Sequence, residues 1–344
     1  MRNYKLMLDI PNINDATSFY RGVGPLSALR LTESRVAYEA FMDFSWATCS
    51  MTDALFMQRP FNEKHRTKFG VYKLNMRKPV WVDYDDDLFN VPEDNPTYKY
   101  YNNTQNRKTL QGILEKADFV TVSTEHLAEQ YRKFNKNITV VRNALNTHLL
   151  GMFDKRLPRN KYMMWRGSET HHRDLLDFAP EIVEVQNSDA AKEWAFQYIG
   201  MNPWYITNNT PHARTFYSEA MDPFIYHDTI YNLAPTCLFV PLHDNVFNRS
   251  KSNIAWIEAT LAGAICIAPD WEEWRNPGCL NYKNKNEFKE LMYAVIRGEI
   301  NVDQKHQESR KSVYRDYDVM VTNKKRRAVI SDLLNVHEKL LFED

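Results

Sequence analysis

The chain has 344 residues, 43% of them hydrophobic and 26% charged, with 44 Lys and Arg balanced by 44 Asp and Glu. This composition excludes a wholly disordered chain, and the zero net charge means that an anionic partner must be met by a local patch. No apolar run approaches the ~20 residues of a membrane-spanning helix, and the first ten residues carry a charge inside their apolar stretch with no small-residue cleavage site. No secretory leader is therefore expected, and the cytoplasm is the expected compartment.

Short apolar runs at residues 5–10, 54–58, 79–83, 118–123 and 138–142 read as strands, with helical periodicity at 106–116 and 125–134. Such alternation argues for a parallel sheet covered by helices. A second set of runs follows at 161–165, 195–199, 237–242 and 264–268, with a helix over 252–261. Between the sets, residues 154–160 are polar, contain Pro158 and read as a linker. The fold class is therefore α/β, with two Rossmann-like domains facing each other across a cleft, at 1–153 and 154–315. The tail, 316–344, is helical in pattern, with Val329, Ile330, Leu333, Leu334 and Val336 as buried positions, and is expected to pack back on the N-terminal domain. Cys49, Cys237, Cys266 and Cys279 are too dispersed for a zinc site or a disulfide framework.

Ligands of open α/β sheets bind outside the carboxyl ends of the strands. The richest segment there is 240–269. A strand ends near Leu242, a polar loop follows, and Ser250 or Ser252 caps a helix carrying Ile254, Ile257 and Leu261 on one face and closed by Gly263. The helix start, its hydroxyls and Lys251 form a receptor for a diphosphate, and Glu258 lies two turns in.

The run from Phe247 to Ala264 resembles the donor-binding motif of GT-B glycosyltransferases, in particular the family-4-like branch and its compact bacteriophage and bacterial forms. Residues 165–175 are similar to the first strand and loop of that family's donor domain. Residues 141–146 are similar to the turn that ends its acceptor domain, and residues 18–25 to its N-terminal glycine loop. The resemblance implies transfer of a hexosyl or pentosyl group from a nucleotide diphosphate sugar, a UDP-sugar by default, to a hydroxyl acceptor. Retention of configuration and no required cofactor or metal are implied with it. Residue by residue, it implies that Lys251 and Arg166 neutralise the diphosphate and that Glu258 holds the ribose. Gly22, Gly24, Gly167, Ser168, Asn248, Ser250 and Ser252 complete the donor site. A second Glu eight residues before Glu258 is common in the family; here that position is Ser250, which leaves the sugar unspecified.

Residues 81–88 place Asp83, Asp85, Asp86 and Asp87 at a strand end. In the GT-B reading Asp85 or Asp86 orients or deprotonates the acceptor. The alternative is a metal-dependent GT-A enzyme using the D-x-D motifs of this cluster. Residues 59–78 carry seven Lys and Arg against one Glu, interleaved with Phe61, Phe69 and Tyr72. With Arg21, the residues Lys64, Arg66, Lys68 and Tyr72 suit a polyanionic acceptor. That acceptor is either DNA carrying a hydroxymethylpyrimidine, as for the bacteriophage enzymes this chain resembles in size, or an anionic glycan such as lipopolysaccharide. A binding protein without catalysis is a further alternative. The sequence leaves the oligomeric state open, and the adjacent His171 and His172 diverge too far to share a metal.

Overall fold

The computed structural model describes residues 5–12, 15–32, 44–146 and 158–342, and within them eleven strands form two parallel sheets. The first sheet contains β1 (Leu6–Asp9), β2 (Ala54–Gln58), β3 (Val80–Tyr84), β4 (Phe119–Val122) and β5 (Ile138–Val140), which pair in chain order. Every residue of β1 to β4 is buried. A parallel sheet covered on both faces produces this pattern, and its strands read as continuous rather than alternating apolar runs. One face, with Leu55, Met57, Val80 and Val82, packs on Leu110 and Leu114 of the helix Thr104–Lys116 and on Leu127 of Glu125–Tyr131. The other, with Leu6, Leu8, Phe56 and Trp81, packs on Leu26 and Leu29 of the helix Val23–Thr32. Val329, Ile330, Leu333 and Val336 join it from the long helix Val319–Phe342; the side chain of Leu334 lies outside the described residues.

The second sheet contains β6 (Asn160–Arg166), β7 (Ala195–Gly200), β8 (Arg214–Glu219), β9 (Pro235–Phe239), β10 (Ile265–Pro269) and β11 (Leu280–Tyr282). Its order is β8-β7-β6-β9-β10-β11. Winding therefore starts in the middle and reverses direction between β6 and β9, as in dinucleotide-binding sheets. Among the described residues this reversal occurs only here. The sequence reading lacks β8 and β11. The first is an edge strand with Phe216 and Tyr217 exposed, and the second has three residues. Neither produces the apolar run of a central strand.

Most of the linker lies outside the described residues. The return crossing is visible: Leu145 bridges Asp318, and its carbonyl accepts from the Val319 N–H at 2.9 Å. The four cysteines are free, three of them buried. The basic stretch after β2 becomes the helix Glu63–Gly70, capped reciprocally by Asn62 and His65, and continues as a wider helical turn over Val71–Asn75.

Candidate functional site

The carboxyl ends of the two sheets enclose a cleft of about 590 Å³. On the C-terminal side it is lined by Arg166 at the end of β6 with Gly167 and Ser168 beyond it, by Gly200 at the end of β7, and by Val240 to Leu242 after β9. The strand order reverses here, so two neighbouring loops part and leave a crevice. Gly200 has φ +101°, and a Cβ there would lie 2.4 Å from the Gly167 carbonyl oxygen, so only glycine lets these loops meet. After β9 come the short helix Val246–Arg249, then Ser250, Lys251 and Ser252, then the helix Ile254–Leu261. That helix begins at Asn253 with no side-chain capping bond, and Ile254 and Ala255 line the cleft beside Lys251. An uncapped helix start with a lysine beside it is an anion receptor.

Arg166 donates from Nε to Glu258 at 2.8 Å. Glu258 is 2% exposed. Its carboxylate also accepts from the Tyr226 hydroxyl at 3.0 Å and from the Tyr20 hydroxyl, which reaches across from the N-terminal half. Burial, with the Glu258 charge next, pushes the Tyr20 phenol well above its ordinary range, so it stays a donor. Glu258 thus fixes the guanidinium of Arg166, whose partly exposed side chain lines the cleft. Lys251 lies 3.5 Å from Asp86 and 4.5 Å from the ring centre of Phe247.

His171 also lines the cleft. Its Nδ1 is 3.0 Å from Asp174, whose other oxygen accepts from the His243 N–H at 3.0 Å and from Asn248 Nδ2 at 2.6 Å. Burial and the nearby Lys251 charge push the His171 pKa down, with Asp174 opposing, so its imidazole is neutral at neutral pH. His172 turns away, edge-on to Tyr205 at 5.1 Å.

The N-terminal half contributes Arg59, Asp85 and Asp86 to the cleft. Arg59 follows β2 at φ +49° and donates to Asp85 through Nε and to Asp86 through Nη2, the latter at 2.6 Å. Burial raises the Asp85 pKa against the pull of Arg59. Burial acts the same way on Asp86, but Lys251 and Arg59 outweigh it and hold this carboxyl down at about 2. Asp83 is buried beneath them, held by two bonds from Arg21 at 2.9 and 2.6 Å and one from Thr121. Asp87 accepts from Asn90 at 2.7 Å. Asp83 and Asp87 therefore turn to partners of their own, while Asp85 and Asp86 share Arg59. Among the described residues, no three His, Cys, Asp or Glu side chains are grouped to hold a metal ion.

Several expected site residues have other places. Ser250 is fully buried and donates to the Val246 carbonyl, so it neither caps the helix Ile254–Leu261 nor faces the cleft. Ser252 does line the cleft, but its hydroxyl accepts from Asn143 at 2.8 Å and leaves the helix uncapped. Asn248 is buried behind the wall, holding Asp174. Gly22 and Gly24 do not line the cleft; a Cβ on Gly24 would meet the Phe19 carbonyl oxygen at 2.1 Å, so this glycine lets two helices join. Asp15, Ala16, Thr17 and Tyr20 face the cleft from that segment instead. Of the expected acceptor residues, Arg21 is buried on Asp83, and Tyr72 is buried 2.5 Å from the Thr52 hydroxyl. Lys68 pairs with Asp9, and Arg66 with Glu63 on the surface. Lys64 is exposed. None of these five lines the cleft.

No protein-family model matches the chain, and no curated protein sequence matches it. Solved structures do. The lipopolysaccharide outer core galactosyltransferase WaaB superposes with a TM-score of 0.62 at 12% identity, over 96% of this chain and 100% of that one. The fold is GT-B. A Listeria monocytogenes protein assigned as a UDP-N-acetylglucosamine 2-epimerase shares this GT-B fold at a TM-score of 0.56 and 14% identity, over 96% of this chain and 97% of its own. Staphylococcus aureus TarM, solved with fondaparinux, α-GlcNAc-glycerol and UDP, matches at 0.54 and 11% identity over 83% of this chain. The present GT-B chain spans only about half of TarM, 55% of its length.

Proposed function

We propose that this protein is a glycosyltransferase that moves a sugar from a UDP-sugar to a hydroxyl of a glycan or sugar-phosphate acceptor. One observation carries the reading. Arg166, Lys251 and an uncapped helix start converge at the reversal point of the second sheet and face the other domain. A departing nucleoside diphosphate develops negative charge, and preorganised cations and amides stabilise it without rearranging. The TarM structure with UDP and the WaaB galactosyltransferase on the same fold support the choice of donor and reaction.

In this reading the diphosphate lies across Lys251, Arg166 and the Ile254 amide, and it displaces Asp86 from Lys251. Glu258, engaged by three donors, positions Arg166 first and reaches a ribose only if Tyr20 yields. Asp86 is a weak base because Lys251 and Arg59 stabilise its charge. The neutral His171, oriented by Asp174, is the better group to accept a proton or hold a sugar hydroxyl. Departure of UDP is metal-independent and the anomeric configuration is retained. A hydroxymethylpyrimidine in DNA is the less favoured acceptor. Its support was the basic stretch 59–78, where Lys68, Lys73 and Arg66 pair with carboxylates and Lys78 donates to backbone carbonyls.

UDP should raise the melting temperature of the wild type without Mn²⁺, and the Lys251→Ala variant should lose that shift. Turnover in that variant should fall by about 2–4 kcal/mol of transition-state stabilisation. Unchanged UDP binding and turnover would remove the donor assignment. The epimerase of the same fold motivates a second reading, in which the nucleotide sugar is itself the substrate. UDP-N-acetylglucosamine incubated without acceptor separates the two. Slow release of UDP and free sugar favours transfer, and conversion to the 2-epimer favours epimerisation.

A further inference from the structure

A second cavity, of about 370 Å³, opens on the N-terminal domain outside the cleft. The loop after β3 divides the two: Leu88 and Val91 line the cleft, while Phe89 and Asn90 line this pocket. Its remaining walls come from the helix Thr104–Lys116 and from Lys133 and Phe134. Three cations, Arg107, Lys108 and Lys133, lie on its lining, and no Asp or Glu does. Among the described residues none of the three forms an ion pair, in a chain whose positive and negative charges are equal in number. Lys133 acts through space on Asp87, but the oxygens of Asp87 are taken up by Asn90 and the Phe89 N–H.

The pocket also holds two of these charges in place. Phe89 and Phe134 stack at 4.7 Å with 28° between their planes. The Arg107 guanidinium lies 5.5 Å from the Phe89 ring centre, and Lys133 Nζ lies 5.0 Å from that of Phe134. Arg107 is anchored further by donating to the Phe89 carbonyl at 2.9 Å and to Asn102 at 2.7 Å, both neutral acceptors. Aromatic faces hold cations without neutralising them. Two cations so held, with the exposed Lys108 beside them, match the charge of a phosphate group, and a cavity of about 370 Å³ leaves room for a small molecule that carries it.

We propose that this pocket is an anion subsite that binds a phosphomonoester carried by the acceptor, beside the cleft in which its hydroxyl reacts. The acceptor part rests on the transferase reading above; the phosphate binding does not. This pocket gathers its cations at one point, whereas a nucleic-acid strand needs them along a track. The phosphate is borne either by a soluble sugar phosphate or by a lipid headgroup.

The test uses the full chain saturated with UDP, so that the cleft is filled, and follows backbone amide signals by NMR. Inorganic phosphate should shift the signals of Thr104, Lys108 and Lys133. Its affinity should fall by about tenfold or more in the Lys108→Gln/Lys133→Gln variant, from loss of two charge-assisted contacts. The thermal shift given by UDP should be unchanged in that variant. Glycerol 3-phosphate reproducing the shifts, with no binding to phosphatidic acid vesicles, assigns a soluble source. Lysine-dependent sedimentation with those vesicles assigns a lipid source. Pocket signals that ignore phosphate, or equal affinity in the variant, overturn the proposal. So does a DNA strand that binds through these lysines with steep salt dependence while phosphate does nothing. If UDP fails to bind, the transferase reading falls, and the pocket signals still report on the phosphate site.

Discussion

Glu273 sits next to Trp274, which lines the cleft, and burial pushes its carboxyl up to about 7 despite Arg142 at 3.4 Å. One of its oxygens has no partner. The folded state therefore prefers the protonated acid. Its contribution to stability is full below the unfolded carboxyl value of about 4.3 and is lost as pH rises through about 7. The expected size is about 1–3 kcal/mol. Urea midpoints at about pH 5 and about pH 8 should fall less in Glu273→Gln than in the wild type; parallel declines would refute the assignment. The sequence could not reveal this residue, nor the pairs His171–Asp174 and Arg59–Asp85, because each shift depends on burial or on a partner brought in by the fold. His171 and Asp174 are three apart, yet what gives them a role is the cleft on one side and Asn248 on the other. The sequence places Lys251 and Arg166 beyond apolar runs that read as strands, and both line the cleft; their donor roles come from the resemblance. Gly24 was misread because a glycine beside a ligand and a glycine beside a helix carbonyl look the same in a sequence.

Among the elements, β2, β3, β9 and β10 were the most legible, since buried parallel strands are written as unbroken apolar runs. The edge strand β8 reads Arg-Thr-Phe-Tyr-Ser-Glu, with four of its six residues polar, and resembles a loop. The basic stretch 59–78 looked like a ligand surface because its partners Asp9 and Asp118 lie far away in sequence. The helix Val319–Phe342 makes the sharpest test at this scale. Leu333 is fully buried against β1 and β3 of the other half of the chain. Leu333→Ala should destabilise the protein by about 2–5 kcal/mol, measured by chemical denaturation. Amide exchange should quicken first in β1 and β2; a loss confined to the second sheet would contradict this docking.

At the scale of the molecule, the two halves meet through apolar contacts such as Phe19 on Phe224 and through polar contacts around the cleft. Thr124 donates to the Ser250 carbonyl at 2.9 Å, Asn143 to Ser252 at 2.8 Å, and Tyr20 to Glu258, while Lys251 faces Asp86. A diphosphate must compete with Asp86 for Lys251. Asp86→Asn should therefore tighten UDP binding by about two- to fivefold, the range of a partly exposed ion pair, by calorimetry. Weaker binding would mean that Asp86 helps to form the donor site. The path of the chain has a further effect, on the order in which the protein can be made. The first sheet needs Val329, Ile330 and Leu333 to cover Leu6, Phe56 and Trp81. Those residues are translated almost two hundred positions after the sheet's last strand. At about 5–20 residues per second, the ribosome leaves that apolar face covered only in part, by Leu26 and Leu29, for roughly ten to forty seconds. The second half can close on itself in that interval, so the half made first is the half finished last, and it is where a nascent chain would need a chaperone.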